Sequence, residues 1–235
     1  MNALQETKIK LLAVDCLKAM KEKKTFRVLS KELSLPAGVL NRYINGYVLP
    51  KLERANQVIE IFSKNYLQKI INESSRREGS KYIVTSDILS QPFLLNIISY
   101  KVSRQFTEKI HKVFTAAVDG IPLALKVAEF VDARCIYAKK TQEIAFSDHY
   151  ISKSRMEDKP LTSPFYLPKN LLKRNENVLI VDDVVRGGTT FDALLSICEQ
   201  AKANIAGIFA IFMTGHAYRQ VKKTYKVGYL FLVEG

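Results

Sequence analysis

The sequence is poor in the residues that build covalent or metal-held structure. Its 235 residues include three cysteines and three histidines. Cys16, Cys135 and Cys198 are widely spaced, form no Cys-x-x-Cys pair and are odd in number, which argues against a disulfide framework. Each has apolar neighbours and is expected to act as a small buried hydrophobe. His111, His149 and His216 are scattered without ligand spacing, so no protein-built metal site is expected. No apolar run approaches the ~18 residues that span a bilayer. The start, MNALQETKIK, lacks the apolar core of a signal peptide. The expectation is a cytoplasmic chain with no membrane partner. Internal repeats and low-complexity segments are also missing.

Positive charge is what the chain has in excess. The formal net charge is +13, which points to an anionic partner such as nucleic acid or a nucleotide. The surplus is uneven: residues 1–81 hold 16 Lys and Arg against 8 Asp and Glu, a difference of 8. With 47% hydrophobic residues, the chain is long enough to bury one large domain or two small ones.

The apolar period divides it. Leu4 to Met20 carries Ile9, Leu12, Ala13, Cys16, Leu17 and Met20 at helical spacing. Shorter helices are predicted over 26–33 and 37–44, the second opening after Pro36 and stopping at Asn45-Gly46, where Gly46 suits a left-handed cap. Another helix follows Pro50 to about Asn72. The polar run SSRREGSK marks a linker at 76–81. Beyond it strands alternate with helices: strand 82–85, helix 92–110, strand 112–118, helix 121–130 and strand 133–138. After a long polar stretch, 139–165, come strand 177–182, helix 188–202 and strands 205–212 and 227–233. That order predicts an α/β fold, a mostly parallel sheet with helices on both faces, over 82–235. An all-α domain over 1–75 precedes it. In such sheets ligands bind at the carboxyl ends of the strands.

Within the first domain, FRVLSKELSLPAGVLNRYINGYVLP (26–50) reads as helix, three-residue turn, helix. Leu29, Leu33, Val39, Leu40 and Ile44 can pack the pair together. The outward face carries Asn41, Arg42 and Asn45, side-chain types that read adenine and guanine edges. Lys31, Lys51 and Arg54 could hold phosphates. A plain helical hairpin would share the pattern. The stretch also resembles the lambda-repressor-like helix-turn-helix family, over about residues 10–70. That resemblance implies DNA binding as a homodimer on a two-fold promoter site.

The second domain contains NVLIVDDVVRGGTT (177–190). An apolar strand delivers Asp182 and Asp183 to the sheet edge. Gly187 and Gly188 then let backbone amides approach a ligand, and Thr189 and Thr190 add hydroxyls at a helix N-terminus that favours phosphate. Carboxylates suit a vicinal diol, so a phosphorylated ribose satisfies both halves. An ordinary strand–helix crossover is the alternative. The string resembles the signature by which type I phosphoribosyltransferases bind 5-phosphoribosyl 1-diphosphate (PRPP). The resemblance implies that Asp182 and Asp183 meet the ribose hydroxyls and that Arg186, Gly187, Gly188, Thr189 and Thr190 wrap the 5-phosphate. It also implies a pyrophosphate loop at Ala117, Val118, Asp119 and Gly120, within VFTAAVDGIPLALKVAEF, and a loop over 139–165 with Lys139 and Lys140 near its start. Mg²⁺ would accompany PRPP.

Three departures bear on activity. Arg186 stands where 6-oxopurine enzymes of that family carry an Asp. Asp119 lies where the enzymes carry Lys or Arg in or beside the loop, and a carboxylate there repels a diphosphate. The tail after residue 212 leaves little chain for a base-binding hood. The domain order resembles archaeal phosphoribosyltransferase-like transcriptional regulators, which share the L-x-R-Y-x-x-G run at Leu40–Gly46. It also resembles the bacterial purine-operon repressors. Both imply a regulator of nucleotide metabolism whose enzyme-like domain, catalytically weak or inactive, senses PRPP or a purine nucleotide. A working phosphoribosyltransferase for adenine or another base remains the alternative.

Overall fold

The computed structural model describes residues 3–78, 82–142, 148–152 and 164–234. The chain opens with helix α1 (Ala3–Lys23), which buries Leu12, Ala13, Cys16, Leu17 and Met20 along one side. α2 (Phe26–Leu33) ends where Ser34 turns left-handed at φ 51°. The Ser30 hydroxyl donates to Leu35 O at 2.6 Å and holds that turn. α3 (Ala37–Ile44) starts after Pro36, whose ring fixes the entry φ. It ends in a Schellman cap: Gly46 N–H donates to Tyr43 O and Tyr47 N–H to Arg42 O, each at 3.0 Å. Gly46 has φ 74°, the left-handed value its sequence position predicts. α4 (Leu52–Phe62) continues through one π turn, Ser63–Leu67, into α5 (Gln68–Ser74).

β1 (Arg76–Glu78) then pairs antiparallel with β2 (Tyr82–Val84), and α6 (Ser86–Leu89) and α7 (Pro92–Gln105) follow. The main sheet is built from β3 (Lys112–Ala116), β4 (Arg134–Ala138), β7 (Asn177–Val185), β8 (Asn204–Thr214) and β9 (Val227–Val233). Its order is β4-β3-β7-β8-β9, and every pairing is parallel. α8 (Gly120–Val131), α9 (Thr189–Ala201) and α10 (Gly215–Val221) follow β3, β7 and β8. Between β4 and β7 lies a small antiparallel pair, β5 (His149–Ile151) and β6 (Tyr166–Pro168).

Neighbouring residues on a strand face opposite ways, and β7 uses both faces. Leu179 and Val181 join a cluster with α7, α8 and the N-terminal helices, including Leu17, Leu40 and Phe62. Val178 and Ile180 join the cluster under α9, with Leu194 and Ile197. Each fully buried Leu or Ile contributes about 1.5–3 kcal/mol, so the first cluster ties the all-α region firmly to the sheet.

Several sequence expectations change. The strand expected at 82–85 is outside the parallel sheet, because its backbone is taken by β1, which starts inside the expected linker at 76–81. The helix expected over 92–110 stops at Gln105, where buried Phe106 leaves helical geometry at φ −105°, ψ 87°. β3 ends at Ala116, two residues earlier than expected, and the Ala117–Val118 peptide is cis. β7 runs to Val185 because Val184 and Val185 pair with Phe212 and Met213 of β8. The acidic pair thus sits inside the strand, and the following loop is only Arg186–Gly188. α10 was not expected at all. Cys16 and Cys198 are buried, whereas Cys135 is only partly so.

Candidate ligand site at the sheet edge

β3, β4 and β7 run parallel, so their carboxyl ends form one edge. That edge gathers Ala117–Gly120 after β3, Lys139 and Lys140 after β4, and Asp182–Thr190 at the end of β7. Ala117 N–H donates to Ala138 O at 2.9 Å and links the first loop to the end of β4. Val118 and Asp119 are exposed, while Gly120 is buried. A side chain at Gly120 would collide with the Thr115 hydroxyl and an Asp182 carboxylate oxygen. Glycine is therefore required for α8 to start this close to β7.

The two carboxylates have different surroundings. Asp182 leans towards Gly120, and its Oδ1 accepts from the Asp183 amide at 3.1 Å. Burial pushes its pKa well above the usual 3.8, and the neighbouring carboxylates of Asp183 and Asp119 add to the rise. Asp183 is buried and accepts a hydrogen bond from the Thr85 hydroxyl at the start of α6.

Beyond β7, Arg186 is exposed, and Gly187 and Gly188 have φ of 81° and 104°. Both angles are costly for other residues. Gly188 caps α9, so the free amides of that helix's first turn face the edge. Thr190 is partly buried there; the side chain of Thr189 lies outside the described residues. Thr214 fixes the loop from behind. Its hydroxyl donates to Arg186 O at 3.0 Å and accepts from Ala217 N–H at 3.2 Å. Lys139 and Lys140 lie over the rings of Tyr137 and Phe165, at 5.4 and 5.9 Å from the centroids. Of the expected loop 139–165, residues 143–147 and 153–163 lie outside the described residues.

The second set of expected residues is elsewhere. Asn41 and Arg42 are exposed on α3 and Asn45 at its C-terminal cap, Lys31 is exposed on α2, and Lys51 is exposed just before α4. Asn45 Nδ2 donates to Asn41 Oδ1 and Asn41 O, each at 2.9 Å, so the two amides form one polar ledge. Sequence reading missed Thr85, Thr115 and Thr214. Thr214 carried a usable signal, a threonine directly before Gly215 at a helix start. Thr85 carried none, being 98 residues from its partner. Among the described residues no group of three or more His, Cys, Asp or Glu is placed to hold a metal ion, and no helix is long and apolar enough to cross a membrane.

Known proteins share this fold. A solved adenine phosphoribosyltransferase from Rhodothermus marinus superposes with a TM-score of 0.62 at 18% identity, covering 71% of this chain and 98% of that one. At that identity the likeness speaks for the fold. The probable purine biosynthesis transcriptional regulator PurR of Streptococcus pneumoniae is 30% identical over 165 residues, which is 68% of this chain and 59% of that protein. This chain therefore spans under two thirds of that regulator's length. A xanthine phosphoribosyltransferase from Alkaliphilus metalliredigens is 30% identical over 154 residues, covering 63% of this chain and 76% of the enzyme. The phosphoribosyl transferase domain model matches residues 84–232. That match takes in the parallel sheet as far as Leu232, with its acidic strand end and the glycine loop, and the chain belongs to the phosphoribosyl transferase domain family.

Proposed function

We propose that this chain is a DNA-binding transcriptional regulator of purine metabolism whose phosphoribosyl transferase domain senses PRPP or a purine nucleotide. The observation that carries the reading is the shared core. The cluster containing Leu29 and Leu40, beneath the helices that expose Arg42 and Asn45, also contains Leu179 and Val181 of the strand ending in Asp182 and Asp183. A change at the ligand edge therefore meets the DNA-facing helices through packed contacts. The similarity to a PurR regulator supports the same reading.

In this reading Asp182 and Asp183 take the ribose hydroxyls, and the α9 amides with Arg186–Thr190 take the 5-phosphate. Ala117–Gly120 face the diphosphate. Asp119 and Asp183 add negative charge around Asp182, so an anionic ligand would come with a cation of its own to offset that charge. The Asp182 and Asp183 carboxylates would hold Mg²⁺, which would supply charge neutralisation to the diphosphate. It would arrive with the ligand. Asn41, Arg42 and Asn45 read bases, while Lys31 and Lys51 hold phosphates, on a two-fold site bound by a homodimer.

The test is a mobility shift on DNA upstream of purine genes, with and without PRPP and Mg²⁺. Arg42→Ala with Asn45→Ala should weaken binding at least 10-fold, since each bidentate base contact contributes about 1–3 kcal/mol. Asp183→Asn should abolish the response to PRPP while leaving ligand-free DNA binding intact. An active phosphoribosyltransferase is the second reading, favoured by the Asp182–Asp183 pair and the xanthine enzyme relative. Pyrophosphate release at ~1 s⁻¹ or faster with any common base would replace the sensor by an enzyme.

A further inference from the structure

We propose that Thr85 is the relay between the ligand edge and the N-terminal helices: its hydroxyl competes with a ligand hydroxyl for the Asp183 carboxylate. The proposal rests on the regulator reading above and names the contact through which regulation passes.

The position of Thr85 in the chain carries the proposal. Its hydroxyl donates to Asp183 Oδ2, and the two residues are only 6% and 8% exposed. Water does not readily replace a partner lost in such a place. Thr85 directly follows β2, whose Val84 pairs with Arg76 of β1, and β1 directly follows α5 of the N-terminal region. In the other direction Thr85 begins α6: its carbonyl accepts from Ile88 and Leu89 N–H, each at 2.9 Å. Ile88 is fully buried in the cluster shared with Ile71 of α5 and Leu94 of α7. Moving Thr85 therefore displaces a hairpin strand, a helix start and a core side chain, all next to α5.

The ligand edge supplies the other half of a switch. A vicinal diol engages a carboxylate through both oxygens, and the Thr85 hydroxyl already occupies one acceptor direction of Oδ2 and crowds the approach to it. With the ligand absent, Thr85 and Asp183 are bonded and α6 is held against β7. With the ligand present, Asp183 turns to the diol and Thr85 is released. The ligand shifts this equilibrium only by its preference for the released state, and DNA feels the same preference in reverse.

The experiment compares the full chain with Thr85→Val, which keeps the shape and removes the donor, and Thr85→Ser, which keeps the donor. The DNA is a labelled duplex selected from a random pool by the wild-type chain, and the ligand is PRPP with Mg²⁺. Anisotropy gives DNA affinity with and without PRPP, and calorimetry gives PRPP binding directly. The wild-type affinity ratio should be roughly 5- to 150-fold, the usual span of such coupling. Thr85→Val should bind both partners with a ratio near 1, and Thr85→Ser should restore the ratio. A Thr85→Val ratio equal to wild type overturns the relay and leaves the regulator reading standing. Loss of PRPP binding in Thr85→Val also overturns it, because Thr85 would then hold the ligand. A wild-type ratio of 1 removes the regulator reading and the relay together. Amide exchange on the wild-type chain gives a check independent of any variant: PRPP should speed exchange over residues 82–91, and no change there overturns the relay.

Discussion

The two halves of the chain treat an enclosed carboxylate in opposite ways. In the N-terminal region Glu32 is enveloped by donors: Lys24 Nζ at 2.8 Å, Tyr66 Oη at 2.6 Å and Asn65 Nδ2 at 3.1 Å. Burial alone would raise its pKa, but these hydrogen bonds outweigh burial and hold it below the usual value. At the sheet edge Asp182 is half-buried beside a second carboxylate, and desolvation together with that like charge drives its pKa well up. Glu32 is used for the fold, since it locks α2 to the π turn that extends α4. Asp182 has one backbone donor, the Asp183 amide, and like charges around it, a disfavoured state of the kind that clusters at functional sites. The regions differ in the same sense at their surfaces. Arg42 and Asn45 lie open to solvent, whereas Asp183 and Gly120 of the sheet edge are buried.

That contrast has meaning only if both regions fold as one unit, and Phe62 tests this with the largest expected effect. Its fully buried ring stacks on Tyr66 at 5.7 Å and meets Phe93 of α7 edge-on at 5.4 Å. Phe62→Ala should cost about 3–5 kcal/mol. Circular dichroism and PRPP protection should lose stability together in a single transition. A variant whose helices melt early while the sheet keeps its wild-type midpoint would show two units joined only by chain.

How well each region could be read from sequence follows from the range of its interactions. Helical spacing located α1, α2 and α3 to within a few residues, and Asn45-Gly46 marked a cap whose bonds span at most five residues. The β7–α9 turn was equally readable, because its acidic pair, glycines and threonines are contiguous. Misreadings arose where partners are distant. Nothing near Tyr82–Val84 reveals that β1 takes its backbone. Nothing near Val184 shows that Phe212 extends the strand beyond the acidic pair. The Thr85–Asp183 bond joins segments with no common local pattern. Charge placement at the edge was legible as residue types, whereas the burial of Asp182 depends on Gly120 and Thr115 arriving from another strand.

Two glycines sharpen the contrast at an intermediate scale. At Gly120 an added methyl meets Thr115 and Asp182, so Gly120→Ala should cost about 1–3 kcal/mol of overpacking and weaken PRPP binding by displacing Asp182. At Gly46 nothing lies within 4 Å, but φ is 74°. Gly46→Ala should therefore cost about 1 kcal/mol, from backbone conformation alone, and should leave PRPP binding unchanged. Thermal midpoints and calorimetric titration of the two variants check both values. Equal losses of PRPP affinity would mean that the sheet edge is no more tightly packed than the helix cap.

The smallest effect concerns pH, where the two carboxylates should give slopes of opposite sign. The pKa of Glu32 is lowered in the folded chain from an ordinary 4.5. Its contribution is therefore present above about pH 4.5 and is lost as pH falls through the depressed folded value. Glu32→Gln should lower stability at pH 7 by about 1 kcal/mol for a partly exposed network, and the deficit should vanish in acid. The pKa of Asp182 is raised from an ordinary 3.8. Its contribution is full below that value and is lost as pH rises through the higher folded one. Asp182→Asn should therefore match wild type in acid and gain on it steadily towards neutrality, while PRPP affinity falls. Midpoints of both variants and wild type from about pH 2 to 8 decide the matter. If Asp182→Asn is destabilising at pH 7, this carboxylate already has its partners within the chain, and the distinction between a carboxylate used for folding and one reserved for a ligand disappears.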